Sequence, residues 1–277
     1  MCATRQLLAV SVLSLAAACQ VAAPSTPTSP WLDGQEKSLV VVGYSTSFAW
    51  PDMLQEMLDQ HAGGERVYHV LNATQGGAPV DHWVAATDDR NYIRTFGAMR
   101  EDFFGDEAKL RGAAPQPTIA ICQQSLQFTG NLRGPVKTES DMVGAELGAD
   151  VMQEMSERLK ALGLESVIIG MHIYKKPVEP EVGNERIALA RLLTRGLDYI
   201  HEGPDVWTPT RDAWPEAFTE DEVHPNELGA KIMAEGWYRT LAGADAREDI
   251  IAQMHAEQYD IDKMSRDYLA WRRSSRE

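Results

Sequence analysis

Ser38-Leu39-Val40-Val41-Val42-Gly43-Tyr44-Ser45 reads as a strand followed at once by a polar turn. Four consecutive apolar residues, three of them β-branched, leave the run no polar face. That composition suits a strand covered on both sides, as in the middle of a parallel sheet. Similar runs recur at Arg66-Val67-Tyr68-His69-Val70-Leu71, Pro117-Thr118-Ile119-Ala120-Ile121-Cys122 and Ser166-Val167-Ile168-Ile169-Gly170, with Val206-Trp207 expected as a short last strand. Helical periodicity fills the intervals. Met53, Leu54, Met57 and Leu58 share one face after Pro51, and Tyr92, Phe96, Met99 and Phe103 make an aromatic stripe within a helical pattern over residues 80–112. Further helical patterns cover residues 141–162, 185–201 and 226–241.

Strands alternating with helices predict a three-layer α/β/α sandwich around a mostly parallel sheet of about five strands, flavodoxin-like in type. Ligands of such sheets bind beyond the carboxyl ends of the strands. The loops that follow the strands therefore emerge on one edge. They bring Ser45, Gly76-Gly77, Gln123-Gln124 and residues 221–225 within reach of one another despite their separation in sequence.

In Asp221-Glu222-Val223-His224-Pro225 a carboxylate three residues before an imidazole can fold back onto one ring nitrogen, leaving the other free to act as a base. Such a base needs a nucleophile, and Ser45 stands at the first strand's exit. The chain holds a competing pair, Asp198-Tyr199-Ile200-His201, read as the last turn of a helix, where a histidine is explained by the helix dipole. His172, after the fourth strand, is read as a solvated loop residue, with contact to substrate as the alternative. No metal or cofactor is expected, because no His or carboxylate cluster has ligand spacing.

In order and spacing these blocks resemble the SGNH (GDSL-like) hydrolases from about Leu39 to Leu241. Asp221-Glu222-Val223-His224-Pro225-Asn226, with Gly229 beyond, is similar to the family's last block. Asn72-Ala73-Thr74-Gln75-Gly76-Gly77 is similar to its second, whose glycine five residues after the asparagine selects Gly77, with Gly76 the fallback. The first block departs, since Tyr44 stands where the family has Asp before Ser45. The third departs too, with Cys122-Gln123-Gln124 where Gly-x-Asn is expected. The resemblance implies a serine esterase working through an acyl-enzyme: Ser45 attacks, His224 moves the proton and Asp221 orients His224. Gly77, Gln124 and the Ser45 amide would hold the oxyanion, with Gly76 and Gln123 as the neighbouring candidates. The implied substrate is a small-molecule or glycan ester, carbohydrate O-acetyl esters included. The departures leave a second reading, a carbohydrate-binding lipoprotein on the same fold with catalysis lost, and a third, a lipid or thioester hydrolase.

With 26 basic against 41 acidic side chains, a net charge of −15 disfavours nucleic acid and anionic membrane surfaces as partners. Arg5 and the apolar run over residues 7–18 have the form of a secretory signal. Ala16-Ala17-Ala18-Cys19 looks like a bacterial lipobox lacking its usual Leu, so lipidation at Cys19 or plain cleavage is expected, with a place in the bacterial cell envelope. Membrane association is expected only through that anchor. Residues 20–36 are read as a flexible tether, 37–243 as the domain, and 244–277 as a helical tail. That tail carries a loose apolar stripe of Ile250, Ile251, Met254, Ile261, Met264 and Leu269, suited to packing on the core or on a partner. Cys122 is left as the domain's single thiol, a small core residue by its setting.

Overall fold

A computed structural model describes residues 29–124, 139–174 and 182–276. The proposed signal segment, Cys19 and the first part of the tether lie outside the described residues. Five strands, β1 (Lys37–Gly43), β2 (Tyr68–Asn72), β3 (Pro117–Gln123), β4 (Ser166–Ile169) and β5 (Ile200–Glu202), form one sheet in the order β2-β1-β3-β4-β5. Every pairing is parallel, and this is the flavodoxin-like order. The central run fits its setting: Leu39, Val40, Val41 and Val42 of β1 are wholly buried. Each such side chain contributes roughly 1.5–3 kcal/mol by leaving water.

Helices cover both faces. α1 (Trp50–His61) packs on α8 (Glu227–Ala242) and α9 (Glu248–Ala256), with Trp50 stacked on Trp237 at 6.0 Å. On the other face α5 (Glu139–Ala161) packs against α6 (Val182–Leu193) and the short α2 (Val80–Trp83). α7 (Trp207–Asp212) precedes α8, and α10 (Ile261–Ser274) ends the fold. Among the described residues no helix is long and apolar enough to cross a membrane.

Several sequence expectations are corrected. The pattern over residues 80–112 is not one helix: after α2 the chain restarts at α3 (Arg90–Tyr92), passes through a π-helical turn (Ile93–Gly97) and continues as α4 (Ala98–Phe103). Asp89 causes the restart by accepting the Asn91 N–H at 2.6 Å as an N-cap. The last strand is Ile200–Glu202, and Val206-Trp207 instead opens α7, which has Pro209 in its first turn. His201 accordingly stands on a strand rather than in a helix's last turn. The tether stops short of residue 36, because Ser29 is buried and donates from its hydroxyl to the Leu241 carbonyl, while Leu32 belongs to the core. Of the two settings expected for the stripe at the chain's end, the core takes Ile250, Ile251 and Met254, with Ile261 and Met264 packed against it, while Leu269 is exposed.

Candidate active site

The sheet order reverses at β1, so the crevice between the exits of β1 and β3 is the fold's natural binding place. Gly43 ends β1 opposite Gln123 of β3. The next residues form a 3₁₀ turn (Ser45–Ser47), closed by the Ser47 N–H on the Tyr44 carbonyl at 2.8 Å. This turn leaves Ser45 half-buried and facing a cleft.

The Asp221–His224 loop reaches the same cleft. Asn226 anchors it from behind: its side-chain oxygen caps α8 by accepting from Leu228 and Gly229, and its amide donates to the carbonyls of Glu216 and Phe218. Gly229 is required there, because a Cβ would stand 2.2 Å from the Ala217 carbonyl oxygen. The turn is tight enough to place Glu222 at a φ of 56°, a conformation that L side chains adopt at a cost.

Asp221 divides its two oxygens. Oδ1 accepts from the backbone N–H groups of Val223 (2.8 Å) and His224 (2.9 Å) and from the Thr219 hydroxyl (2.7 Å), which fixes the carboxylate. Oδ2 lies 2.6 Å from His224 Nδ1, and His224 Nε2 lies 2.8 Å from Ser45 Oγ. Burial raises the Asp221 pKa, but the hydrogen bonds from the His224 ring, the two backbone groups and Thr219 outweigh it, holding the carboxyl well below the usual range. A charged carboxylate at this distance favours the tautomer protonated on Nδ1, which would leave Nε2 to accept from the Ser45 hydroxyl.

The remaining candidates separate. Gln124 follows β3, is 1% exposed, and has no hydrogen-bond partner for either amide atom among the described residues. Gln123 drops out as a substrate-binding or oxyanion group, because its amide donates to the Met171 carbonyl at 2.6 Å and accepts from Trp237 Nε1 at 2.7 Å. It is a core bracket. Gly77 sits at a φ of +63°, where glycine alone is unstrained, and no described residue accepts a hydrogen bond from its N–H. Gly76 presents its carbonyl to Arg94 instead.

Tyr44 and His172 change the picture of the first block. Both are buried, their rings stack at 5.1 Å, and the Tyr44 hydroxyl meets His172 Nε2. His172 is therefore an interior residue, not the solvated one expected. Tyr44 thus packs into the interior against His172. Cys122 is wholly buried, and burial pushes its thiol up, as suits a core residue.

Sequence reasoning missed three groups. Thr219 braces Asp221; Asn72 spans the exits of β1 and β2, with its amide near the Ser47 and Phe48 carbonyls and its oxygen on Thr74; and α10 lines the cleft. Asn72 carried a signal as the first residue of the second block, and α10 through the apolar stripe that holds Ile261 and Leu269; Thr219 carried none. The cleft has a volume of about 360 Å³ and brings Ser45, Asp221 and His224 together with Phe48, Ile261 and Leu269. A larger hollow of about 830 Å³ beside α4 has mixed charges on its walls and lies away from the Ser45–His224 contact.

No family model matches the chain, and no curated protein sequence matches it. Solved structures do match. A protein from Slackia heliotrinireducens described as an SGNH hydrolase is 21% identical with a TM-score of 0.41, covering 73% of this chain and 99% of its own. TesA is 16% identical with a TM-score of 0.46, over 74% of this chain and 98% of its own. A member of the lipolytic protein G-D-S-L family from Veillonella parvula DSM 2008 is 15% identical with a TM-score of 0.38, over 72% and 94%. The sequence blocks are similar to those of the SGNH (GDSL-like) hydrolases, and proteins described in those terms are among the solved structures that the chain matches.

Proposed function

We propose that the protein is a serine esterase that cleaves carboxylic esters through an acyl-enzyme. The observation that carries this is the unbroken hydrogen-bonded series from Asp221 Oδ2 through His224 to Ser45 Oγ, at 2.6 and 2.8 Å. His224 takes the Ser45 proton as the hydroxyl attacks the ester carbonyl, then returns it to the departing alcohol. Water repeats the cycle on the acyl-enzyme. The oxyanion is received by the Ser45 N–H, the Gly77 N–H and the Gln124 amide.

Labelling with a fluorophosphonate probe tests the nucleophile before any substrate is known. The expected result is one adduct, mapped by peptide mass spectrometry to Ser45 and absent in Ser45→Ala. An unlabelled native protein overturns the esterase and favours the catalytically lost binding protein. That second reading draws on Tyr44 and Gln124, yet the inward packing of Tyr44 removes one of its two supports.

Short acyl groups, carbohydrate O-acetyl esters among them, suit the site best. A cleft of about 360 Å³ is near the lower end for small-molecule sites, and Ile261 and Leu269 of α10 bound it. Across p-nitrophenyl esters from acetate to octanoate, kcat/KM is expected to fall with chain length. A rise toward octanoate would instead support the lipid or thioester reading. Export through residues 1–19, with lipidation at Cys19 and a place in the cell envelope, belongs to this proposal as well. Mass spectrometry of the mature N-terminus tests it, and an intact Met1 in cytoplasmic protein overturns it.

Gln124 offers a sharper test. Among the described residues neither atom of the buried Gln124 amide has a partner, and a bond to the oxyanion would satisfy its N–H. Gln124→Ala is expected to lower kcat by roughly 10²- to 10³-fold with little change in KM, while Tm stays equal or rises. An unchanged kcat would remove Gln124 from the oxyanion site.

A further inference from the structure

The loop after β2, residues 73–77, is held from two sides by arginines that no sequence block marks. From α10, Arg272 donates through Nη1 to the Thr74 carbonyl, which also accepts from the Tyr268 hydroxyl at 3.0 Å. Arg272 and its ion-pair partner Asp102 are each 6% exposed, with Nη2 and Oδ2 3.2 Å apart. From the π-helical turn, Arg94 donates through Nη2 to the Gly76 carbonyl at 2.8 Å.

Peptide geometry turns these contacts into a statement about direction. In a trans peptide the carbonyl and the following N–H point opposite ways. The Thr74 carbonyl faces α10, and the Gln75 N–H accordingly points back to the sheet, donating to the Gly43 carbonyl at 3.1 Å. By the same rule, the Gly76 carbonyl turned onto Arg94 sends the Gly77 N–H the other way, where no described residue takes it up. Buried ion pairs add little net stability, because desolvation offsets their attraction. The Arg272–Asp102 pair is better understood as fixing one orientation of this loop.

We propose that Arg94 and Arg272 are positioning residues that orient the peptide planes of this loop and thereby aim the Gly77 N–H at the oxyanion. The inference rests on the esterase reading. Neither arginine touches substrate; each acts through a carbonyl of the loop.

Arg94 is exposed, so its replacement leaves the fold intact. Arg94→Ala is expected to lower kcat on the order of tenfold, with KM and Tm nearly unchanged, since small misplacements of a reacting group carry penalties of this size or larger. Added guanidinium should recover part of the loss, and Arg94→Lys should fall between. Arg272→Lys, which keeps the charge and loses the forked donor, is expected to show the same split between kcat and KM. If it does not fold, Arg94→Ala decides alone. A native kcat in Arg94→Ala, with Ser45 still labelled by the fluorophosphonate, overturns this inference and leaves the esterase standing. An unlabelled native protein overturns both.

Discussion

Ser45→Ala is expected to lose turnover by on the order of 10⁴-fold or more, and His224→Ala by a similar factor, while the double variant is scarcely worse than either. The reason lies in the contact between Ser45 Oγ and His224 Nε2 at 2.8 Å: the hydroxyl is a poor nucleophile unless the ring removes its proton during attack. Once one member is gone, the other has nothing left to do. Residual rate then comes from binding and oxyanion donors alone. Steady-state kinetics on one p-nitrophenyl ester, with Tm recorded for each variant, measures it. Losses that multiply in the double variant would mean that Ser45 and His224 act independently, and the acyl-enzyme mechanism would fall.

Much of this arrangement was legible in the chain because it rests on local chemistry. The buried run Leu39, Val40, Val41 and Val42 marks a central parallel strand by composition, and a parallel sheet sends its loops to one edge. The three-residue spacing of Asp221 and His224 is short enough for a turn to bring them into contact, as the 2.6 Å separation confirms. What escaped reading depends on partners far away in sequence. Strand Ile200–Glu202 has three residues and one buried side chain, too little for a periodic signal. Gln123 and Gln124 are chemically identical. The positions of Met171 and of Trp237, the latter more than a hundred residues on, make the first a core bracket, while the second has no partner among the described residues. The tail's stripe was visible, but its buried arginine was not. Arg272 reads as a surface residue until Asp102 and the Thr74 carbonyl are placed beside it.

Asp221 supports the last prediction, because it acts on the reaction only through His224 and its loss should be the mildest of the three. Its carboxyl is held well below the usual carboxylate range, so it stays charged wherever an imidazole can work as a base. Loss of activity on the acid side is therefore not expected to come from protonation of Asp221. Asp221→Asn keeps an oxygen for the Val223 and His224 N–H groups, and the turn should survive. Its amide, however, can oppose the wanted tautomer and supplies no charge for the imidazolium that forms during attack. The expected loss in kcat/KM is roughly 10³- to 10⁴-fold, smaller than for Ser45 or His224, since the ring still accepts a proton when less well held. Asp198→Ala and His201→Ala are the internal control: His201 stands on β5 with its ring against Trp31 at 5.5 Å, and turnover should survive both changes. A native rate in Asp221→Asn would strip Asp221 of its orienting role. Loss of turnover in the control pair would transfer that role to the other end of the sheet.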